Sequence, residues 1–267
     1  MNNVISINCN AEYYALQFSI CTIVSDAAEY GLMRASFEER GFSSDCEYII
    51  ADNTKGNQFD AYQAISHFLK ISRGKYIIIV HQDVRAIDNR EKLLQCIDGL
   101  NKKDSNWALC GNAGAKGYHQ EVVYIKYPSH TEQSIDLPQK VNSLDENFLL
   151  IKKSSNMTIS PDLKGFHLYG TDLCIIANFL GYSCYVIAFM AEHLSKGNIP
   201  ALKQYQHEFI EQYGKKADIG YIQTTCTQFY LSNSKKKNKL LNSPFFFFII
   251  KQFKRYPYLI KSLGKKK

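Results

Sequence analysis

No GxGxxG follows the first apolar run of this 267-residue chain, and no GxxxxGK[ST] occurs anywhere in it. A dinucleotide-type phosphate loop and a P-loop are therefore both missing, and any bound diphosphate would need a metal in their place. Eight cysteines stand at 9, 21, 46, 96, 110, 174, 184 and 226, and no two have CxxC spacing. That argues against a zinc site or a redox pair. Several lie inside apolar runs, such as Cys21 in FSICTIV and Cys110 in WALCG, where a free cysteine acts as a small hydrophobe. A reducing, cytoplasmic setting is expected. No internal repeat is visible, and no apolar run approaches the roughly 20 residues of a spanning helix. The first residues, MNNVISINCNAEYY, have no basic stretch leading into an apolar core, so no secretory signal is expected. Acidic residues are missing from 234 to 267, where 11 basic ones stand. The net charge of +7 thus belongs to the end of the chain, and residues 1–233 carry 21 basic and 25 acidic side chains, a net −4. A body of that charge is a poor general binder of nucleic acid.

What is present is a globular composition, 45% hydrophobic and 21% charged, which excludes a disordered chain, a collagen-like repeat and a small disulfide scaffold. Length and charge divide it into a domain over 1–233 and a basic, aromatic tail over 234–267. Strand patterns at 18–24, 47–53, 75–83 and 107–111 alternate with helical patterns at 27–39, 59–71 and 90–100. This alternation predicts an α/β fold with a single mainly parallel, Rossmann-like sheet flanked by helices. Further on, strands are predicted at 121–127, 147–153 and 183–189, and helices at 171–180 and 201–213; the rest of 112–143 reads as irregular. The first three strands end in Ser25-Asp26, Asp52-Asn53 and His81-Gln82-Asp83. Sheets of this kind bind ligands beyond the carboxyl ends of their strands, so three successive strands deliver polar side chains to one edge.

Asp83 follows the most apolar strand. A carboxylate there either holds a hard divalent cation or caps a helix. His81 points the same way two residues earlier. Asp52 and Asn53 either meet a base or ribose or close an Asx turn.

The order of motifs resembles family 2 glycosyltransferases of the GT-A fold, and within them a bacterial subgroup reading HQD where DxD is usual. The residues that carry it are RGKYIIIVHQDV (73–84), FLLIKKS (148–154), GFHLYGTDLC (165–174) and GYSCYVIAFMAEHLSKGN (181–198), over about residues 17–232. The resemblance implies that Val24 and Ser25 end the first strand near the nucleotide base, with Asp52 on the base, Asn53 beside it and His81 nearby. It implies Asp83 and His193 as ligands of a divalent cation, Mn or Mg, that bridges the donor diphosphate. It implies Asp172 as catalytic base, although its match to the family's EDxDLC pattern is divided, and Asp145, Glu146 and His167 are the alternatives. Taken alone, His167 reads as half-buried packing and His193 as a loop histidine.

The activity so implied is inverting, metal-dependent transfer of a sugar from a nucleoside-diphosphate sugar to a hydroxyl of a saccharide or lipid-linked acceptor, in surface polysaccharide synthesis. A nucleotidyltransferase would want a glycine-rich, basic loop where VSDAAEYGLMR stands. A second reading is a non-enzymatic binder of membrane surface or nucleic acid, acting through Phe253, Tyr256 and Tyr258 among lysines. The tail's six-residue run Phe245–Ile250 is expected either to dock on the anionic inner face of the plasma membrane or to pack on the body. No nucleic acid is expected as partner.

Overall fold

The structure, a computed structural model, describes residues 14–117, 120–195 and 199–248. The N-terminal segment 1–13, with Cys9, and Phe253, Tyr256 and Tyr258 of the tail lie outside the described residues.

The chain runs β1 (Leu16–Val24), α1 (Ala27–Glu39), β2 (Cys46–Asp52), α2 (Ala61–Ile71), β3 (Gly74–Val80), β4 (Val84–Ala86) and α3 (Arg90–Lys103). It continues through β5 (Trp107–Gly111), β6 (Ala113–Ala115), β7 (Glu121–Lys126), β8 (Thr131–Gln133), β9 (Gln139–Val141), β10 (Ser143–Leu144) and β11 (Phe148–Lys152). Then come α4 (Tyr169–Phe179), β12 (Ser183–Val186), β13 (Ala191–His193), α5 (Ile199–Tyr213), β14 (Gly220–Gln223), β15 (Gln228–Leu231) and α6 (Lys235–Leu241).

The main sheet has the order β2-β1-β3-β11-β5-β12-β9. β2, β1 and β3 are mutually parallel, as are β5 and β12, while β11 and β9 run against their neighbours. The predicted mainly parallel sheet is therefore present, with two reversed strands. Both faces are covered, as the unbroken apolar run of β3 requires. Ile77 and Ile79 enter the core shared with α2, α4 and α5, whereas Tyr76, Ile78 and Val80 enter the core shared with α1 and α3. Gly74 opens β3 because β1 passes close by: a Cβ would sit 2.5 Å from the Phe18 carbonyl carbon.

The helices start where the sequence supplies caps. Asp26 accepts from the N–H groups of Ala28 and Glu29, and Asp60 and Gln63 form a capping box on α2. Each such cap is worth about 1 kcal/mol.

Residues 112–143 differ from the irregular segment predicted. Besides β7, the strand expected at 121–127, they supply β6, β8 and β10, which with β7, β4 and β13 form a second sheet in the order β10-β6-β7-β13-β4, β8 pairing with β7; β9 joins the main sheet. Apart from β7, these strands have two or three residues, too few to show alternation along the sequence. Beyond β15, α6 is tied to the body. The Asn242 side-chain amide pairs with both backbone groups of Tyr230, at 2.8 and 2.9 Å, and Asn238 does the same with Ser232 at 2.8 and 2.7 Å.

Candidate active site

β1, β2 and β3 end side by side, and the second sheet brings a distant segment to the same edge. β4 continues directly from the His81-Gln82-Asp83 turn and pairs antiparallel with β13, His193 opposite Val84. The Leu194 N–H donates to the Asp83 carbonyl at 3.1 Å. That register sets His193 beside Asp83 across more than a hundred residues of sequence.

Three side chains converge. Asp83 lies 3.9 Å from His81 Nδ1 through one oxygen and 3.6 Å from His193 Nε2 through the other. One donor atom from each of the three lies within 4.8 Å of the other two, a span that one cation with bonds of about 2.1–2.6 Å can bridge. Two imidazoles and a carboxylate suit a first-row divalent cation, so the donor set fits a metal. His81 Nε2 meets the Tyr169 hydroxyl at 2.7 Å, and that hydroxyl also donates to the Glu146 carbonyl at 3.3 Å. A His81 that donates from Nε2 to this hydroxyl would present its Nδ1 lone pair to a cation beside Asp83.

Burial pushes the His81 imidazole down. Burial also works against His193, but the hydrogen bond and charge of Asp83 outweigh it and raise that imidazole. Burial would raise Asp83, yet hydrogen bonds from His193 and Ser195 and the charge of His81 hold it well below the carboxylate range.

The middle residue of HQD has a separate task, which the sequence did not reveal. Gln82 Oε1 accepts from the N–H groups of Ser25 and Asp26 at 2.8 and 3.0 Å, and Gln82 Nε2 donates to Ser25 Oγ at 3.0 Å. It clamps the end of β1 to the turn that bears Asp83.

Beside the trio lies a cavity of about 100 Å³ whose lining includes His81, Asp145, Glu146, His167, Thr171 and His193. Asp145 is held by Thr225 Oγ1 at 2.6 Å, by the Asn147 N–H at 3.0 Å and by Asn147 Nδ2 at 2.7 Å. Burial would raise it, but these hydrogen bonds keep it lowered. Glu146 points at the N-terminus of α4 and accepts from the Leu168 and Gly170 N–H groups. Burial first, and the Asp145 charge second, push its carboxyl from 4.5 up to about 8. Leu168 takes the left-handed conformation at φ +66°, and Gly170 leaves room for the Leu144 carbonyl, which a Cβ would strike. Thr171 is 1% exposed and its hydroxyl has no hydrogen-bond partner among the described residues. Burial lowers His167.

The other expected site residues are placed as follows. Asp172, expected as the base, is fully buried on α4. It accepts from the Ser160 N–H at 2.8 Å, from Ser160 Oγ at 2.7 Å and from the Tyr213 hydroxyl. It is not among the residues that line the cavity, and three donors of the core point at it. Asn53 is 4% exposed, and its amide is spent on the Gln58 and Phe59 N–H groups and the Phe59 carbonyl. Val24 is buried, with its carbonyl on the Asn53 N–H at 2.7 Å; it frames the edge without a free polar group. Ser25 and Asp52 remain exposed there, Asp52 with one oxygen in an Asx turn with Thr54.

Among solved structures, the fold is similar to residues 1–349 of S. aureus TarS in complex with UDP-GlcNAc. The TM-score is 0.52 at 10% identity, over 76% of this chain and 68% of that one. The same protein in complex with UDP gives 0.51 at 10% identity, over 76% and 67%. The fold is the GT-A type, a central mainly parallel sheet flanked by helices. No family model matches the sequence. A protein of Fuscovulum blasticum described as "ATP synthase subunits region ORF 6" is 35% identical over 194 residues, 68% of this chain and 76% of that protein. The chain belongs to the family of that protein.

Proposed function

We propose that the chain is a family 2 glycosyltransferase of the HQD subgroup, moving a hexosyl group from a nucleoside-diphosphate sugar to a hydroxyl of a saccharide or lipid-linked acceptor. The observation that carries this is the meeting of His81, Asp83 and His193 at the carboxyl edge of β1, β2 and β3, with the Glu146 carboxyl in the adjoining cavity. Binding of UDP-GlcNAc and UDP by a protein of the same fold supports a uridine diphosphate sugar as donor.

His81, Asp83 and His193 would hold Mn or Mg, which when bound neutralises diphosphate charge on the leaving group. Ser25 and Asp52 face the nucleoside. Glu146 accepts the proton of the acceptor hydroxyl as its oxygen bonds to the anomeric carbon. The bond from that carbon to the diphosphate oxygen breaks on the opposite side, giving inversion and a free nucleoside diphosphate. A carboxyl near 8 is a stronger base than an ordinary one. Asp145, fixed by Thr225 and Asn147, stays anionic and keeps Glu146 basic.

The site of action under this reading is the cytoplasmic face of a membrane, in polysaccharide synthesis. Among the described residues no helix is long and apolar enough to cross a membrane. Docking would rest on the exposed Lys235, Lys236 and Lys239 with Leu240, Phe245 and Phe248.

Calorimetry tests the donor half. UDP should bind in the presence of Mn²⁺ and lose at least about tenfold in affinity with the cation chelated or in Asp83→Asn, where an anionic ligand is gone. Equal binding in all three samples would refute it.

A further inference from the structure

A second cavity, of about 380 Å³, opens on the other side of His167, which lines both. That volume falls within the range of about 300–1,000 Å³ of small-ligand sites. Tyr62, Tyr205 and Phe209 form the aromatic part of its wall. The Tyr205 ring lies against Gly165, at φ +98°, where any Cβ would overlap it. The ring stands 5.6 Å from the His167 imidazole, and the Tyr62 hydroxyl donates to the His167 carbonyl at 3.0 Å. Asp162, Glu208 and Glu211 line the same cavity against one lysine, Lys164. Asp162 is paired with Lys216 at 2.5 Å. Among the described residues no cation lies within ion-pair distance of Glu208 or Glu211. On the inner side, the Thr171 hydroxyl, which has no hydrogen-bond partner among the described residues, is buried in the wall of the Glu146 cavity, where leaving it without a ligand partner is costly.

We infer that these two cavities, which share His167 in their walls, form the acceptor site, and that the acceptor is an uncharged or amino-bearing sugar. The inference rests on the transferase reading and adds to it a substrate class. The reacting hydroxyl enters the inner cavity, within reach of Thr171 and Glu146. The C–H face of the ring lies on Tyr205, and the remaining hydroxyl or ammonium groups donate to Glu208 and Glu211. Those two carboxylates repel an anionic sugar.

Saturation-transfer NMR on the full chain with UDP and Mg²⁺ tests this, using methyl β-glucopyranoside, glucosamine and glucuronate as probes. Glucuronate should bind about fivefold or more weakly than the other two. Tyr205→Ala should abolish the saccharide signals, and Tyr205→Phe, which keeps the ring face, should retain them. Combining Glu208→Lys with Glu211→Lys, both on the exposed face of α5, should reverse the order in favour of glucuronate. Glucuronate binding as well as glucosamine, an order unchanged in the double variant, or no saccharide signal while UDP binds would each overturn the inference. Failure of UDP itself to bind would instead count against the transferase reading on which it stands.

Discussion

Glu146 and Asp145 are neighbours in sequence with opposite proton affinities. Asp145 takes three hydrogen bonds and stays ionised, while Glu146 sits desolvated beside that charge with its carboxyl up at about 8. If Glu146 is the base, transfer should rise with pH through about 8, and Glu146→Gln should lose both that limb and about 10²–10⁴-fold in rate. The same shift has a consequence for stability. The folded carboxyl binds its proton more tightly than the unfolded one, so stability falls as pH climbs from 4.5 to about 8 and is level beyond. Glu146→Gln should therefore gain in Tm over the natural chain between about pH 5 and about pH 9; an unchanged difference would contradict the burial argument. Asp172 accepts three hydrogen bonds inside the core. Asp172→Asn puts an amide where Ser160 and Tyr213 donate, and should cost on the order of 3 kcal/mol in urea unfolding. An Asp172→Asn protein of full stability whose transfer rate is lost would return the base role to it.

At the scale of elements, α6 and the residues after it divide between body and solvent. Asn238 and Asn242 fasten α6 to β15, and Phe247 meets the Tyr221 ring at 6.3 Å, whereas Leu240, Phe245 and Phe248 stand more than half exposed. Of the aromatic run, Phe247 thus packs on the body, while Phe245 and Phe248 face solvent. Each lysine near an anionic bilayer contributes about 1 kcal/mol. The full chain should sediment with phosphatidylserine vesicles at low salt and release at high salt. Replacing Lys235, Lys236 and Lys239 with glutamate, and Phe245 and Phe248 with serine, should keep it in the supernatant while UDP binding persists. A substituted chain that still sediments would show that the bilayer is bound elsewhere.

Across the whole molecule, what was legible in the sequence follows the length of each signal. β1, β2, β3 and the helices between them are long and strongly patterned, and they lie within a few residues of their predicted bounds. The strands of the second sheet are too short for a pattern, yet one of them decides the site, because the β4–β13 register carries His193 to Asp83. HQD was visible as a motif, but the clamp by Gln82 was not, since its partners lie 56 and 57 residues away. Thr225, which holds Asp145 from 80 residues away in the turn between β14 and β15, left no signal at all. Asp172 carried the letters of a catalytic motif, and its burial against Ser160 and Tyr213 was not legible from them. Ser25, Asp52 and His81 meet at one edge because the parallel strands β1, β2 and β3 end together, and the second sheet adds His193 to it. The central claim is that this edge binds a nucleoside diphosphate through a cation. Anomalous diffraction from crystals soaked in MnCl₂ and UDP tests it most directly. The account predicts one manganese peak bonded to Asp83 and His193, with the UDP phosphates in contact and the base beside Asp52. Manganese away from Asp83, or UDP bound elsewhere on the molecule, would contradict it.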